Sequence, residues 1–177
     1  MTARLLIWGG FVLVLTVACF WRPRPMRGAI ALLFLLLGLG VHGAVVAWDP
    51  QRYLALARGA LIPFYRDLAV AVVQVSPRHF GLGLLACEVL VALLIIGSGT
   101  AVKVGLGAGI VFLVGLTPLG VEVLPNALLA VGLVHLLRQD YPLSALGELR
   151  QWRRARAAGV TGDPAARPAP AGYRRSR

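Results

Sequence analysis

Long apolar runs dominate the chain, and basic residues collect in the breaks between them. Hydrocarbon offers no water to backbone N–H and C=O groups, so an apolar run of about 20 residues must close its own hydrogen bonds as a helix. Five runs predict such helices: residues 5–20, 29–48, 80–97, 103–116 and 124–137. The pattern therefore predicts an all-α membrane protein, a bundle of about five transmembrane helices.

The composition agrees with a membrane protein. Charged residues make up only 14% of the chain, whereas an ordinary soluble domain has roughly 25%. The net charge is +11, but the basic residues flank the apolar runs or lie in the C-terminal tail. Such an arrangement fits contact with anionic membrane lipids. Because the aromatic-basic interleaving of single-strand binders is missing, we predict lipid partners and no nucleic-acid partner.

Basic residues in alternate loops predict how the chain sits in the cell membrane. The cluster of Arg22, Arg24 and Arg27 and the tail from Arg138 onward fall on one side, whereas the turn at residues 117–123 carries no Lys or Arg. Positively charged loops stay in the cytoplasm. The expected topology is multi-pass, with the N-terminus outside and the C-terminus cytoplasmic.

This layout divides the chain into three parts. Residues 1–27 form an N-terminal helix and a basic cytoplasmic loop, residues 28–142 a four-helix membrane bundle, and residues 143–177 a basic tail that is helical and then disordered. The first run also has the form of a cleaved signal, but its length and the basic segment after it favour a retained helix. Ser144 is the expected N-cap of the tail helix. The arginines expected to bind lipid or a partner are Arg150, Arg153, Arg154 and Arg156.

The segment 49–79 carries several arginines, and its apolar residues recur at roughly helical spacing. We interpret it as one or two amphipathic helices that lie on the outer surface or dip into the bundle. Pro63 is expected to break or kink them. The alternative, that residues 68–75 belong to a sixth span, is disfavoured because the stretch is short and would disturb the charge asymmetry.

Small residues predict close helix packing in the second half of the bundle. Gly105 and Gly109 form a small-xxx-small pair, which lets two helix backbones approach. Residues 97–100, Gly-Ser-Gly-Thr, indicate a tight turn between antiparallel helices.

Two polar residues inside the apolar runs are candidates for chemistry. Glu88 lies near the middle of the third run, and an ionisable group at that depth is a functional hypothesis because its desolvation must be offset. It can hydrogen-bond to a quinone, relay a proton or pair with a cation, or it can join neighbouring helices structurally. His42 faces Glu88 if their depths match, and such a pair can pass protons. Otherwise a backbone carbonyl satisfies His42.

Other chemistry finds little support in the sequence. Cys19 and Cys87 both lie in apolar runs and form no Cys-X-X-Cys pair. We find no nucleotide loop, catalytic triad or metal-ligand cluster, so no metal site is predicted. A quinone is the one cofactor that the interpretation admits, and whether the chain is an enzyme stays open.

The stretch from Arg27 to Arg154 resembles the DoxX-like membrane proteins, which include the related methylamine-utilisation membrane subunits. The likeness rests on Arg27-Gly28 before the apolar residues 33–38, on the amphipathic loop, on Glu88 and the glycine stop of residues 88–97, and on residues 126–129 running into 141–144. It implies a four-helix membrane bundle, with residues 5–20 as an extra span. It also implies association with a redox partner that is linked either to quinone or to thiol and sulfur chemistry. Glu88 is the one polar position of this chain that matches the family pattern.

The sequence is compatible with three functions. The first is a DoxX-like membrane subunit that supports a redox partner, with Glu88 and His42 lining a polar spot. The second is a non-catalytic anchor or assembly protein whose basic tail binds lipid or a partner. The third is a carrier of protons or small solutes. A carrier needs a continuous polar path through the membrane, and Glu88 and His42 alone are too few to form one.

Overall fold

The computed structural model describes residues 2–157, and all regular elements in that range are helical. The α-helices are α1 (Thr2–Trp21), α2 (Pro23–Leu35), α3 (Gly43–Trp48), α4 (Arg52–Arg58), α5 (Pro63–Val75), α6 (Pro77–Ile96), α7 (Thr100–Leu116), α8 (Asn126–Leu137) and α9 (Ala145–Ala157). A π-helical segment, Leu36–His42, joins α2 to α3, and two 3₁₀ turns, Thr117–Leu119 and Val121–Val123, come after α7. The predicted all-α class is confirmed.

Prolines set where several helices begin. Pro23, Pro63 and Pro77 stand in the first turns of α2, α5 and α6. Proline suits this position because its missing N–H would have no partner inside the helix and its φ is already helical. Pro63 therefore starts a helix, and the segment 49–79 contains two helices, α4 and α5.

Three helical stretches are long and apolar enough to cross a membrane: Pro23–Trp48, Pro77–Ile96 and Thr100–Leu119. The other two predicted spans correspond to shorter apolar helices, Leu5–Trp21 and Asn126–Leu137. At 1.5 Å per residue the second of these rises only about 18 Å, against a hydrocarbon core of about 30 Å. The membrane assignment thus rests on three helices, and five crossings stay a prediction.

One apolar core joins five helices. Its fully buried side chains include Val12 of α1, Phe34 of α2, Ile95 of α6, Leu106 of α7 and Leu133 of α8. Burial of such side chains in mutual contact fixes the order in which the helices pack. The bundle has two ends: α4 and α5 lie at one, called here the α5 end, and α9 begins at the other, the α9 end.

The first helix is an integral part of this bundle. In α1, the Thr16 hydroxyl donates to the Leu128 carbonyl at 3.2 Å, and Trp8 Nε1 donates to Asn126 Oδ1 at 3.3 Å. Both acceptors belong to α8, so α1 and α8 are joined by polar as well as apolar contacts.

Glycines permit the closest helix contacts. A Cβ added at Gly105 would lie 2.7 Å from Leu94 Cβ and 2.9 Å from the Ile95 backbone nitrogen, so α7 touches the backbone of α6 there. A Cβ at Gly109 would meet Leu133 Cδ2 at 3.0 Å. The expected packing role of the pair is confirmed. Gly99 takes φ +58°, a region that favours glycine, in the turn between α6 and α7.

A second, smaller core closes the α5 end. Val46, Tyr53, Ala57 and Val73 are buried together there, from α3, α4 and α5. The Leu61 N–H, between α4 and α5, donates to the Pro118 carbonyl at 2.9 Å. The two short helices are therefore packed against the ends of the long ones.

We expect Gly105→Ala to lower the free energy of unfolding by about 1–3 kcal/mol, the usual cost of overpacking a tight contact. The added methyl group meets Leu94 and the α6 backbone, which has no room to yield. Gly107→Ala is the matched control, because nothing lies within 4 Å of a Cβ at Gly107. Thermal unfolding in detergent, monitored by circular dichroism, compares the two. Equal stability of the variants would refute the close α6–α7 contact.

Candidate functional site

Glu88 lies deep in the bundle on α6. Along the axis it is about 12 Å from Ile96 and about 16 Å from Pro77, near the middle of that helix. Its side chain is only 3% exposed. The position near mid-span that the sequence predicted is confirmed, and the carboxyl group is removed from water as well.

The π-helical segment packs directly against this carboxyl group. A Cβ added at Gly38 would lie 3.1 Å from Glu88 Cβ and 3.3 Å from its Oε2 atom. A side chain at that point would have to displace Glu88 by a few tenths of an ångström, so glycine permits the closest approach. Single turns of π-helix occur often at functional sites, and here the turn also ends on the second polar residue, His42.

His42 meets Glu88 across the bundle. His42 Nε2 lies 3.6 Å from Glu88 Oε2, and the imidazole side chain is 17% exposed. Within residues 2–157, Oε2 is buried and has no hydrogen-bond partner. The sequence proposed these two residues as a pair on the condition that they lie at the same depth. The structure brings them together.

A third member of the site, Tyr53, comes from α4. Its hydroxyl oxygen is 2.8 Å from His42 Nδ1, and the two rings are stacked with centroids 5.7 Å apart. Phe80 meets the other side of Tyr53 edge to face. From the sequence, Tyr53 was only an apolar residue of the amphipathic segment. The missed signal was the phenol itself, because a buried tyrosine usually has a polar partner.

Glycine also makes room for Tyr53. A Cβ at Gly81 would come within 2.3 Å of Tyr53 Cε2 and 2.6 Å of Val46 Cγ2. The tyrosine ring therefore lies close to the backbone of α6 at Gly81, one helix turn beyond the start of that helix. This contact holds the hydroxyl group over His42.

The three side chains, called here the Tyr53–His42–Glu88 triad, form a line of proton donors and acceptors. Burial, and secondarily the charge of Glu88, raises the pKa of Tyr53 to about 12, so the phenol keeps its proton at neutral pH. Its hydroxyl has two acceptors on His42: Nδ1, and the backbone carbonyl at 3.4 Å. Each choice fixes a different tautomer of the imidazole.

The two tautomers suit opposite states of the carboxyl group. When Tyr53 donates to Nδ1, the ring proton is on Nε2 and faces a Glu88 carboxylate. When Tyr53 donates to the carbonyl, Nδ1–H donates to the phenol oxygen, and bare Nε2 faces a protonated Glu88. Rotation of one hydroxyl group therefore accompanies the gain or loss of one proton at Glu88.

The surface beside the triad is apolar. Leu39 and Val41, on the same π-helical segment as His42, are exposed. Since Pro23–Trp48 is one of the candidate spans, these side chains face lipid if the span is inserted. A ligand that reaches His42 from this side must itself be soluble in the membrane.

A second buried charge lies at the α9 end. Arg27 is fully buried, and both terminal nitrogens donate to the Leu143 carbonyl at 3.1 Å. Its Nη2 also lies 3.2 Å from Glu148 Oε2, and its guanidinium covers the ring of Tyr141 at 4.6 Å. We call this set the Arg27 cluster. The sequence placed Arg27 in a basic cytoplasmic loop. In the structure it belongs to α2 and is buried among these partners.

The Tyr141 ring is itself held in place. Its hydroxyl donates to the Leu136 carbonyl at 3.1 Å, and its own carbonyl accepts from the Gly99 N–H at 2.8 Å. Burial raises the pKa of Tyr141 to about 12, although the nearby charge of Arg27 acts to lower it. The Arg27 cluster therefore joins α2, the α6–α7 turn and the start of α9.

The structure describes some of the tail arginines. Arg150, Arg153 and Arg154 are exposed on α9, whereas the side chain of Arg156 and residues 158–177 lie outside the described part. The helix begins as predicted: the Gly147 N–H donates to Ser144 Oγ at 3.2 Å. Cys19 and Cys87 are both free, and no group of metal-binding side chains occurs among the described residues.

No protein-family model, curated protein or solved structure matches this chain. The resemblance to DoxX-like proteins therefore stays a prediction. Function has to be argued from the triad and the Arg27 cluster.

We expect Gly81→Ala to push Tyr53 away from His42, since the added methyl group occupies the place of the phenol ring. The ¹⁵N signals of the His42 ring should then match those of Tyr53→Phe, which lacks the hydroxyl. Gly83→Ala is the control, because a Cβ there meets nothing within 4 Å. Wild-type signals in Gly81→Ala would disprove the Tyr53–His42 hydrogen bond.

Proposed function

We propose that this chain is an integral membrane subunit, similar to the DoxX-like proteins, that supports a quinone-linked redox partner. In this proposal the partner supplies electrons and the triad supplies protons. The observation that carries it is the buried Oε2 of Glu88, which has no hydrogen-bond partner among the described residues and faces His42 at 3.6 Å.

That observation favours chemistry over a structural role for Glu88. A glutamic acid kept only to join helices is expected to hydrogen-bond with a neighbouring helix, because an unsatisfied buried polar atom costs about 1–3 kcal/mol. Within the described residues Oε2 has no such bond. Arg27 Nε is buried without a partner as well, so the support for a proton-exchanging role of Glu88 comes from the nearness of the His42 ring to Oε2.

The proton transfers balance the electrons. A quinone held beside the triad would supply the redox chemistry, and its reduction by two electrons from the partner would require two protons from the chain. Glu88 releases each proton to the ligand. His42, as the Nε2–H tautomer, then passes that proton to the carboxylate and takes another at Nδ1 from Tyr53, which recovers a proton from the α5 end. This relay leaves the ring as the Nδ1–H tautomer, so His42 must regain the Nε2–H tautomer before it serves a further transfer. Reversing these transfers serves quinol oxidation.

The wider topology belongs to the same proposal. We place the chain in the cell membrane with five crossings, the N-terminus outside and the C-terminus in the cytoplasm. Under this arrangement the α5 end and Tyr53 face outward, and α9 faces the cytoplasm. The basic residues of α9 support this orientation through the preference of cationic segments for the cytoplasmic side.

A second candidate function is a membrane anchor or assembly protein, and the Arg27 cluster favours it. The cluster fixes the start of α9 to the bundle. The helix then presents exposed Leu146 and Leu149 together with its arginines. Such a surface suits anionic lipid or an acidic partner.

Substitution of the acid tests the first function. Glu88→Gln and Glu88→Ala should lower partner-linked quinone reduction in native membranes by about 10²-fold or more, the usual contribution of a general acid. Cys87→Ala, next to it and exposed, is the control. Each variant is checked for helix content. Unchanged turnover in both Glu88 variants would remove the triad from the function.

Substitution of Glu148 tests the attachment of α9. Glu148→Gln weakens the bond to a buried guanidinium and should cost about 2 kcal/mol. Trypsin should then cut sooner at Arg150. Asp140→Asn is the control, since Asp140 pairs with Lys103 in the open and exposed pairs contribute about 0–1 kcal/mol. Equal digestion rates in the two variants would show that the Arg27 cluster does not hold α9.

A further inference from the structure

Helix α5 has an apolar face that no part of the described chain covers. Phe64, Leu68, Val72 and Val75 recur at helical spacing and are exposed, with Phe64 at 78% and Val75 at 84%. Residues so spaced share one side of a helix. We call this set the α5 stripe. Its extent exceeds that of a single exposed apolar residue, which needs no explanation.

The rest of the helix surface is accounted for. Val73 is buried and packs, with Ala69 and Val70, in the second core against α4 and α6. Asp67 and Gln74 are exposed and, two turns apart, lie on a third side of the helix. The helix thus has one side toward the bundle, one polar side and the α5 stripe.

Hydrogen bonds fix the level of α5 along the bundle. The Leu61 N–H donates to the Pro118 carbonyl, and the Tyr65 hydroxyl donates to the Gly115 carbonyl. Both acceptors belong to the end of the candidate span Thr100–Leu119. At its other end, α5 leads through Ser76 into the start of the candidate span Pro77–Ile96.

Both ends of α5 therefore lie at the boundary of spans, on the same side of the bundle. The helix is about 20 Å long, too short to cross a hydrocarbon core of about 30 Å. These contacts favour an axis that runs along the membrane surface. The sequence left open whether the segment lies on the surface or dips into the bundle, and a surface position fits the length and level of the helix.

We infer that α5 is an interfacial helix whose α5 stripe binds membrane lipid at the boundary between acyl chains and head groups. Asp67 and Gln74 then face water. Exposed Arg58 and Arg78 lie near its two ends, where guanidinium groups bind lipid phosphates, and Arg66 pairs with Asp67. This charge belt, together with the level of the helix, favours lipid over a second copy of the chain.

Lipid binding by α5 bears on the triad. Val73 of α5 and Tyr53 of α4 share the second core. Binding of the α5 stripe to lipid would therefore hold α5 in place. Because α5 packs against α4, it would also hold the Tyr53 phenol near His42. The inference does not depend on the quinone proposal, because it rests on α5 alone.

Site-directed spin labelling in lipid nanodiscs tests the inference. Single cysteines at Leu68 and Val72, and at Asp67 and Gln74, are introduced into the full chain carrying Cys19→Ala and Cys87→Ala. Collision rates with oxygen, which concentrates in lipid, and with a water-soluble nickel chelate are measured at each label. A label at Leu93, exposed within the candidate span Pro77–Ile96, gives the lipid reference.

Labels at Leu68 and Val72 should favour oxygen, as at Leu93, and labels at Asp67 and Gln74 should favour the chelate. Protection of the stripe from both reagents would mean that a second copy covers it. Free access of the chelate to the stripe would mean that it faces water. Either result overturns the inference, and circular dichroism of each labelled chain confirms that the helices are intact.

Discussion

The constraint on which this structure depends is the cost of taking charge out of water. An apolar helical bundle can satisfy its own backbone, but a buried ionisable side chain needs a partner from a neighbouring segment. Two such side chains, Glu88 and Arg27, are buried here. Each contacts segments that are distant in sequence: Glu88 of α6 meets the π-helical segment, and Arg27 of α2 meets Leu143 and Glu148.

The irregular features around Glu88 are the π-helical segment, the short helix α4 and two closely packed glycines. Gly38 permits close approach of the backbone to the Glu88 side chain, and the π-helical segment brings His42 within 3.6 Å of the carboxyl group. Tyr53 then covers His42 from a short helix outside the spans. Gly81 gives the phenol its place. Two glycines and a break in helical periodicity thus serve one polar site.

Local sequence pattern was sufficient to predict the helices, but it could not predict the packing between distant segments. Apolar runs indicated the helices, and Ser144 and Pro63 marked where two of them begin. The His42–Glu88 pairing could be proposed because depth depends on position along a run. Tyr53 and Arg27 could not be assigned, because burial of an amphipathic side chain depends on which distant segment covers it. Five crossings were predicted from the apolar runs, and three helical stretches are long and apolar enough to cross a membrane.

The two buried charges differ in how many fixed contacts their polar atoms make. The terminal nitrogens of Arg27 meet a carbonyl and a carboxylate, and its guanidinium covers an aromatic ring, although Nε has no hydrogen-bond partner among the described residues. Among the described residues, Oε2 of Glu88 meets only an imidazole at the outer limit of a hydrogen bond. Exchange of a proton between the two groups requires that Nε2 and Oε2 close this gap to hydrogen-bond distance. The Arg27 cluster holds the fold together, and the triad is where chemistry is to be sought.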